Sequence, residues 1–257
     1  MTLASKLRDR DPVVGNWLTL ADPAVTEASA QLEFDVAVID REHTPISLET
    51  TTEMARAVDA TRTDTETLVR VSENDATEIK RVLDAGVAGV MGPMIETAAE
   101  AQELVAATRY PPEGVRGVGI GRATGYGDSL ADSVENADPV TIAQIETRDG
   151  LANVEEIAAV DGLDGLFVGP ADLSAALGIF GETDSEDFLE AVDRILEAGH
   201  TVDKPVATIA LEEADVERWL ERGFDAVMVG VDVDYVLSGS KRAKRAFEEA
   251  VGEQDVE

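Results

Sequence analysis

The sequence contains no cysteine, which excludes disulfides, thiolate nucleophiles, zinc fingers and iron–sulfur clusters. No run of 18 or more apolar residues occurs, so no segment has the length and character of a membrane-crossing helix. The opening residues, Met1 to Arg10, lack the apolar stretch of a secretory leader, and the expected location is the cytoplasm. Basic residues are scarce, with Lys+Arg 21 against Asp+Glu 53 and a net charge of −32. Such a chain lacks the clustered cations that displace counterions from nucleic acid or hold an anionic membrane, so neither is an expected partner. The acids are spread along the whole chain and read as a hydrated surface suited to concentrated salt, where screening weakens self-repulsion.

Other absences narrow the chemistry. The five lysines, Lys6, Lys80, Lys204, Lys241 and Lys244, all fall away from the ends of the expected strands, so a Schiff-base mechanism has no nucleophile. Neither Gly-x-x-x-x-Gly-Lys nor Gly-x-Ser-x-Gly is present, which leaves nucleotide triphosphatase and serine hydrolase activities without support.

What is present is a chain of 257 residues, 44% apolar, long enough to bury a substantial core. Eight short β-branched runs recur: Val14–Leu20, Val36–Asp40, Thr67–Arg70, Gly89–Pro93, Ile142–Glu146, Leu166–Gly169, Val206–Ile209 and Val227–Gly230. Near-continuous apolar runs of this kind suit strands covered on both faces, as in a parallel sheet. Between them lie stretches of helical spacing, such as Ile79, Val82 and Leu83, or Leu189, Val192, Ile195 and Leu196. Asp75–Glu78 and Thr97–Glu100 have the spacing of capping boxes, and Gly86, Gly199 and Gly223 are expected to end helices. Eight strands alternating with helices predict an α/β fold, a single (β/α)8 TIM barrel over residues 1–257. A doubly wound sheet would carry a glycine-rich fingerprint after its first strand, and Val14-Gly-Asn-Trp-Leu-Thr-Leu leads into Ala-Asp-Pro instead. Residues 110–140 lack periodicity and are expected to form a long functional loop.

Barrel enzymes do their chemistry at the C-terminal ends of the strands. Those ends carry Asp40-Arg-Glu42-His43, Arg70, Gln144-Ile-Glu146 and Gly169-Pro170-Ala171-Asp172. Glu146 and Asp172 end adjacent strands, and two anions held together either share a proton or hold a cation. Without cysteine and with two histidines, an oxygen shell completed by water and substrate favours Mg²⁺ or Mn²⁺. The competing explanation is that each carboxylate caps the helix after it, and the sequence alone leaves both open. His43 has Asp40 and Glu42 close enough in sequence to orient or charge it, whereas His200 falls at the opposite end of the barrel and reads as a surface residue. Arg70 either forks a carboxylate or oxyanion in the mouth or serves a structural ion pair.

The segments Ile39-Asp-Arg-Glu-His43-Thr-Pro, Arg109-Tyr-Pro-Pro-Glu-Gly-Val-Arg-Gly-Val-Gly119, Gln144-Ile-Glu-Thr147 and Val168-Gly-Pro-Ala-Asp-Leu-Ser174 together resemble the HpcH/HpaI aldolase family. The resemblance runs from about Val14 to Val233. It implies a class II, metal-dependent aldolase acting on 2-keto-3-deoxy sugar acids or related 4-hydroxy-2-oxo acids, releasing pyruvate and an aldehyde. It further implies Glu146 and Asp172 as metal ligands, with Glu42 reaching the metal through water; Mg²⁺ or Mn²⁺ is expected and Co²⁺ also fits. By the same resemblance His43 is the acid/base, with Asp40 as its partner. Arg70 contacts the keto oxygen, and Gln144, Trp17 and the Gly169, Pro170, Ala171 and Asp172 stretch bind substrate. Asp84 acts across a subunit boundary in a homo-oligomer, a hexamer or trimer of dimers that exchange the final helix. Two other possibilities are an acyl-CoA lyase, for which Arg116 and Arg122 are the obvious phosphate contacts, and a barrel that only binds a metabolite.

Overall fold

The computed structural model describes residues 1–254. All eight β-branched runs become strands: β1 Val13–Leu18, β2 Val36–Asp40, β3 Glu66–Arg70, β4 Gly89–Gly92, β5 Val140–Ile145, β6 Gly165–Val168, β7 Val206–Ala210 and β8 Ala226–Val231. Each pairs in parallel with its neighbours, and β8 returns to β1 to close the ring. The (β/α)8 barrel is therefore the fold. Register has a direct chemical consequence: Asp40 lies opposite Arg70, and Arg70 opposite Met91, so the polar ends of β2 and β3 emerge side by side.

Strands covered on both faces need two apolar layers. Inside the ring, Trp17, Val38, Leu68, Met91, Ile142 and Phe167 fill the barrel, and Leu3 and Leu7 of an N-terminal helix, Leu3–Arg8, close its lower end. Outside, Ile39, Val69, Val90 and Ile145 pack against helix residues including Ile79, Leu104, Ile157 and Ile195. Each such aliphatic side chain contributes about 1.5–3 kcal/mol by leaving water.

Several local expectations resolve differently. The Thr97–Glu100 capping box forms, but at Asp75 only half of one does. Asp75 accepts the Thr77 and Glu78 N–H groups, while the Glu78 carboxylate turns to Ser72 and to Arg41 at 2.7 Å. Gly223 ends its helix in the left-handed region. Gly199 does not end one; it lies within Glu186–Thr201, where a Cβ would meet Val206 Cγ2 at 2.6 Å. Its glycine serves close helix–strand packing. His200 is half-buried and bonds Asp225 at 2.9 Å rather than facing solvent freely.

The 110–140 segment is also more ordered than expected, with a 3-10 turn at Arg122–Gly127 and a helix at Leu130–Glu135. It links the end of the helix Ala98–Thr108 to the start of β5, so it sits at the N-terminal face of the barrel, away from the mouth. The final helix, Asp232–Gln254, leaves Tyr235, Val236, Leu237, Phe247 and Val251 exposed. Among the described residues no helix is long and apolar enough to cross a membrane.

Candidate active site

The mouth is organised around Arg70, which β3 delivers buried at its last position. Asp40, its neighbour in register, grips the guanidinium in a fork, Nε to Oδ1 at 2.9 Å and Nη2 to Oδ2 at 2.8 Å. The guanidinium also stacks over Trp17, 4.9 Å from the ring centroid, a cation–π contact that further fixes its plane. Nη1 approaches Glu42 Oε2 at 2.8 Å, an ionic contact without hydrogen-bond alignment that leaves this buried oxygen without a hydrogen-bond partner.

Asp40 is thereby spoken for. Its Oδ1 also accepts the N–H of Glu42 at 3.0 Å and that of His43 at 3.4 Å, so it shapes the turn after β2 but does not touch the imidazole. The expected Asp40–His43 side-chain pair is absent, because the fork of Arg70 and the turn's own N–H groups occupy the carboxylate. The His43 ring is exposed, and its nearest carboxylate is Glu42, with Nε2 3.7 Å from Oε2.

Glu146 follows β5 and is 2% exposed. Its Oε1 accepts the N–H of Met94 at 3.0 Å, and its Oε2 accepts Gln144 Nε2. Met94 takes a positive φ of 50° to aim that N–H, a conformation that costs a non-glycine residue energy and is typical of functional sites. Gly169 is required next to this pair, since a Cβ there would lie 2.5 Å from Glu146 Oε2 and 2.8 Å from Gln144 Nε2. The helix-cap explanation fails for both acids. Thr147, not Glu146, caps the helix Arg148–Ala152, and the helix Pro170–Leu177 starts at Gly169 with no side-chain cap, leaving Asp172 in its first turn.

Burial pushes the Glu146 carboxyl up to about 7, against the pull of the Met94 N–H; Glu42, Asp172 and Arg70 act on it from nearby, the two acids raising it and the arginine lowering it. Glu42 is raised for the same leading reason, with Asp40 and Asp172 adding to the shift and Arg70 and His43 opposing it. Asp40 and Glu42 thus share the Arg70 guanidinium, with Glu146 and Asp172 nearby. Among the described residues, no three His, Cys, Asp or Glu side chains form a metal-holding group by themselves. The donor set nevertheless fits a hard cation that takes further ligands from water and substrate. Two carboxylates unused as caps, an unpartnered Glu42 oxygen and an unpartnered Gln144 Oε1 converge on one end of the barrel.

A cavity of about 510 Å³ opens there, lined by Trp17, His43, Arg70, Gln144, Gly169 and Asp172. Pro170 and Ala171 line it as well, so every residue expected to bind substrate lies on its wall. Asp84 is elsewhere. It ends the helix Ala76–Asp84, pairs with Arg116 at 3.0 Å and lies beside Gly119 on the opposite face. Arg116 is buried under Tyr110, and Arg122 bonds the carbonyls of Ala85 and Gly86 on that same face. Sequence reasoning missed the outer wall: Phe180, Thr183, Leu211, Glu212 and Asp215. The signal for the last three was available, because Leu211 directly follows β7 and obeys the same strand-end rule as Arg70.

Strand-end acids, a forked arginine and a glycine cradle on a closed barrel match the motifs that first pointed to a family. A model of the HpcH/HpaI aldolase/citrate lyase family fits residues 14–238. The chain belongs to this family. It is an aldolase, a carbon–carbon lyase. Among relatives of this aldolase, the hydroxypyruvate/pyruvate aldolase of Paraburkholderia phytofirmans is 40% identical over 248 residues, covering 94% of this chain and 95% of the relative. The 5-keto-4-deoxy-D-glucarate aldolase of Escherichia coli is 37% identical over 236 residues, 91% of each chain. A solved HpcH/HpaI aldolase/citrate lyase family protein from Burkholderia cenocepacia superposes with a TM-score of 0.92 at 35% identity, covering 96% of this chain and 98% of that one.

Proposed function

We propose that the enzyme reversibly cleaves 4-hydroxy-2-oxo acids, including 2-keto-3-deoxy sugar acids, to pyruvate and an aldehyde, using a divalent cation. The observation that carries this reading is the gathering at one strand-end mouth of the buried Glu146, the unpartnered oxygens of Glu42 and Gln144, and an Arg70 fixed by the Asp40 fork. The names of the two aldolase relatives support a substrate that is a keto acid.

Glu146 and Asp172 would hold the cation, with Glu42 reaching it through water; oxygen donors suit Mg²⁺ or Mn²⁺, and Co²⁺ also fits. Bound there, the ion would supply Lewis acidity that draws negative charge onto the 2-keto oxygen. Arg70, immobilised by Asp40 and Trp17, donates to that oxygen from a fixed direction as charge develops, so little reorganisation is needed. The Gly169–Asp172 backbone at the start of a helix receives the pyruvate carboxylate, and Gln144 positions Glu146. His43 accepts the C4 hydroxyl proton directly or through water. The C3–C4 bond then breaks, its electron pair passes into the keto group to give the pyruvate enolate, the aldehyde leaves, and C3 takes up a proton.

The same reading makes the enzyme a homo-oligomer, a hexamer or trimer of dimers, in which the exposed final helix is exchanged and Asp84 serves a neighbour's mouth. It also places the enzyme in the cytoplasm of a cell with high internal salt, supported by the dispersed charge of −32. An acyl-CoA lyase has less support, since the guanidinium with which this chain lines its mouth, that of Arg70, is already engaged by Asp40 and Glu42. A barrel that only binds a metabolite would have no use for an acid/base histidine at the rim.

The test is pyruvate release under exhaustive chelation and under borohydride. Chelation should abolish turnover and a divalent ion restore it, while borohydride added with pyruvate should leave the enzyme active. Full activity without divalent ions, or inactivation by borohydride, would overturn the reading.

A further inference from the structure

Glu42 and His43 sit on the turn that follows β2, residues 41–47, which has no regular secondary structure. The Asp40 carboxylate holds this turn from one side by accepting the N–H groups of Glu42 and His43, and the Thr44 hydroxyl donates to the Asp40 carbonyl. A second side chain braces the turn along its length. Arg41 donates its backbone N–H to the Arg70 carbonyl at 2.9 Å, which continues the β2–β3 ladder by one residue. Its Nε donates to the Ile46 carbonyl at 3.3 Å, and its Nη1 to Glu78 Oε1 at 2.7 Å. Glu78 is anchored in turn by the N–H of Ser72 at 3.3 Å and by the Ser72 hydroxyl. The helix Ala76–Asp84 gives up half of its capping box to make these bonds. The Arg41 and Glu78 side chains are 14% and 15% exposed, so the pair is enclosed, and removing one partner strands the other charge away from water.

We propose that Arg41 is a positioning residue for the proton-transfer step: anchored by Glu78, it sets the path of the turn and so the place of His43 at the cavity. This rests on the aldolase reading above, in which His43 takes the C4 hydroxyl proton. The His43 ring is exposed, and the Glu42 carboxylate lies 3.7 Å from its Nε2, beyond hydrogen-bond range. The backbone of the turn, rather than a side-chain partner, therefore decides where the imidazole can reach. A base must come within hydrogen-bond reach of its proton, and a misplacement of about 1 Å can cost about 100-fold in rate. The Arg41 side chain acts on this distance through the turn. The Arg70 side chain is held separately, by Asp40 and Trp17, so binding of the pyruvate half does not depend on the Arg41–Glu78 pair.

The experiment measures condensation of pyruvate with glycolaldehyde, in the presence of Mn²⁺, for Arg41→Met, Arg41→Lys, Glu78→Gln and the Arg41→Met/Glu78→Gln double variant. Arg41→Met should lower kcat by about tenfold or more, while KM for pyruvate stays within about threefold of the parent. Arg41→Lys keeps the charge but cannot reach Ile46 and Glu78 together, and should recover part of the loss. The double variant should be no slower than Arg41→Met, because the two residues act as one unit. Histidine-selective labelling supplies a readout independent of turnover, since the chain has two histidines. In metal-free Arg41→Met the backbone amide signal of His43 should shift and exchange faster with solvent. His200, bonded to Asp225 at the far end of the barrel, should be unchanged. Should Arg41→Met fail to fold, Glu78→Gln carries the same test with a smaller loss. A kcat within about twofold of the parent, losses that multiply in the double variant, or an undisturbed His43 signal would each overturn the assignment. Disturbance of both histidines alike would overturn it too, as general loosening of the fold. Exchange of pyruvate C3 protons in D₂O by the parent tests the aldolase reading separately; its absence would sink that reading and this inference with it.

Discussion

The two ends of the barrel use the same chemistry, an arginine forked onto aspartate, to opposite effect. At the N-terminal end Arg8 donates to both oxygens of Asp138, at 2.6 and 2.8 Å, and to Asp164 at 2.8 and 3.0 Å, with Arg109 nearby. Cations there match the acids, and the hydrogen bond from Arg8 holds Asp138 below the ordinary carboxylate range. At the mouth, Arg70 pairs with Asp40 and Glu42, Glu146 and Asp172 lie nearby with no cation paired to them among the described residues, and burial drives Glu146 up to about 7. A balanced cluster ties an N-terminal helix and a loop to the sheet. An unbalanced one stores a demand for positive charge, which a cation and a polarised substrate would meet.

The contrast can be broken most sharply at the mouth. Glu146→Gln keeps the shape and removes the charge, so pyruvate release should fall by at least about 100-fold, beyond the effect of losing an outer-shell partner. Arg70→Lys keeps the charge but loses the fork, and should cost about 100-fold in kcat/KM. Turnover within tenfold of the parent in both variants would erase the functional difference between the two ends.

The pH dependence of stability sharpens the same comparison. In cation-free protein Glu146 is raised, so its contribution is fully present below about 4.5 and is lost as pH climbs toward about 7, a change of about 3 kcal/mol. Asp138 is lowered and works in the other direction, its contribution present above 3.8 and lost as pH falls. Melting temperatures in chelator should therefore decline between pH 5 and 7 in the parent and flatten in Glu146→Gln. Divalent-ion affinity, measured by calorimetry, should rise with pH through about 7, since the ligand must first lose its proton.

At the other end, Asp164→Ala should cost about 2 kcal/mol in denaturant unfolding, because it strands the buried Thr141 N–H that Asp164 accepts at 2.9 Å. Its kcat/KM should stay within twofold. Smallest of all, Thr97→Ala removes a capping box on the outer ring and should cost about 1 kcal/mol with no change in turnover.

Much of the barrel was legible along the chain because its signals are short. A β-branched run of five residues, a Thr97 followed by Glu100, or a Gly223 after a helix each act within a turn or two. The strand-end rule then gathers His43, Arg70, Gln144, Glu146 and Asp172 without any knowledge of distances. The same rule, applied to β7, reaches Leu211 and Glu212. Gly199 as a packing residue and the turn and helix within 110–140 are not legible in this way, because they depend on what lies across from them: Val206 for Gly199, and Ala85, Gly86 and Asp59 for Arg122.

By itself, then, the sequence determined the alternation of strands and helices, the acidic surface and the set of polar residues at the mouth, since these follow from periodicity and local capping. Only the closed ring decided how that set is wired. Asp40 belongs to Arg70, 30 residues away, and not to its neighbour His43; Glu146 takes its N–H from Met94, 52 residues away. Asp84 falls on the far face of its own chain. Such pairings, and the burial that lifts Glu146, arise from register and packing between distant segments, which local preference does not encode.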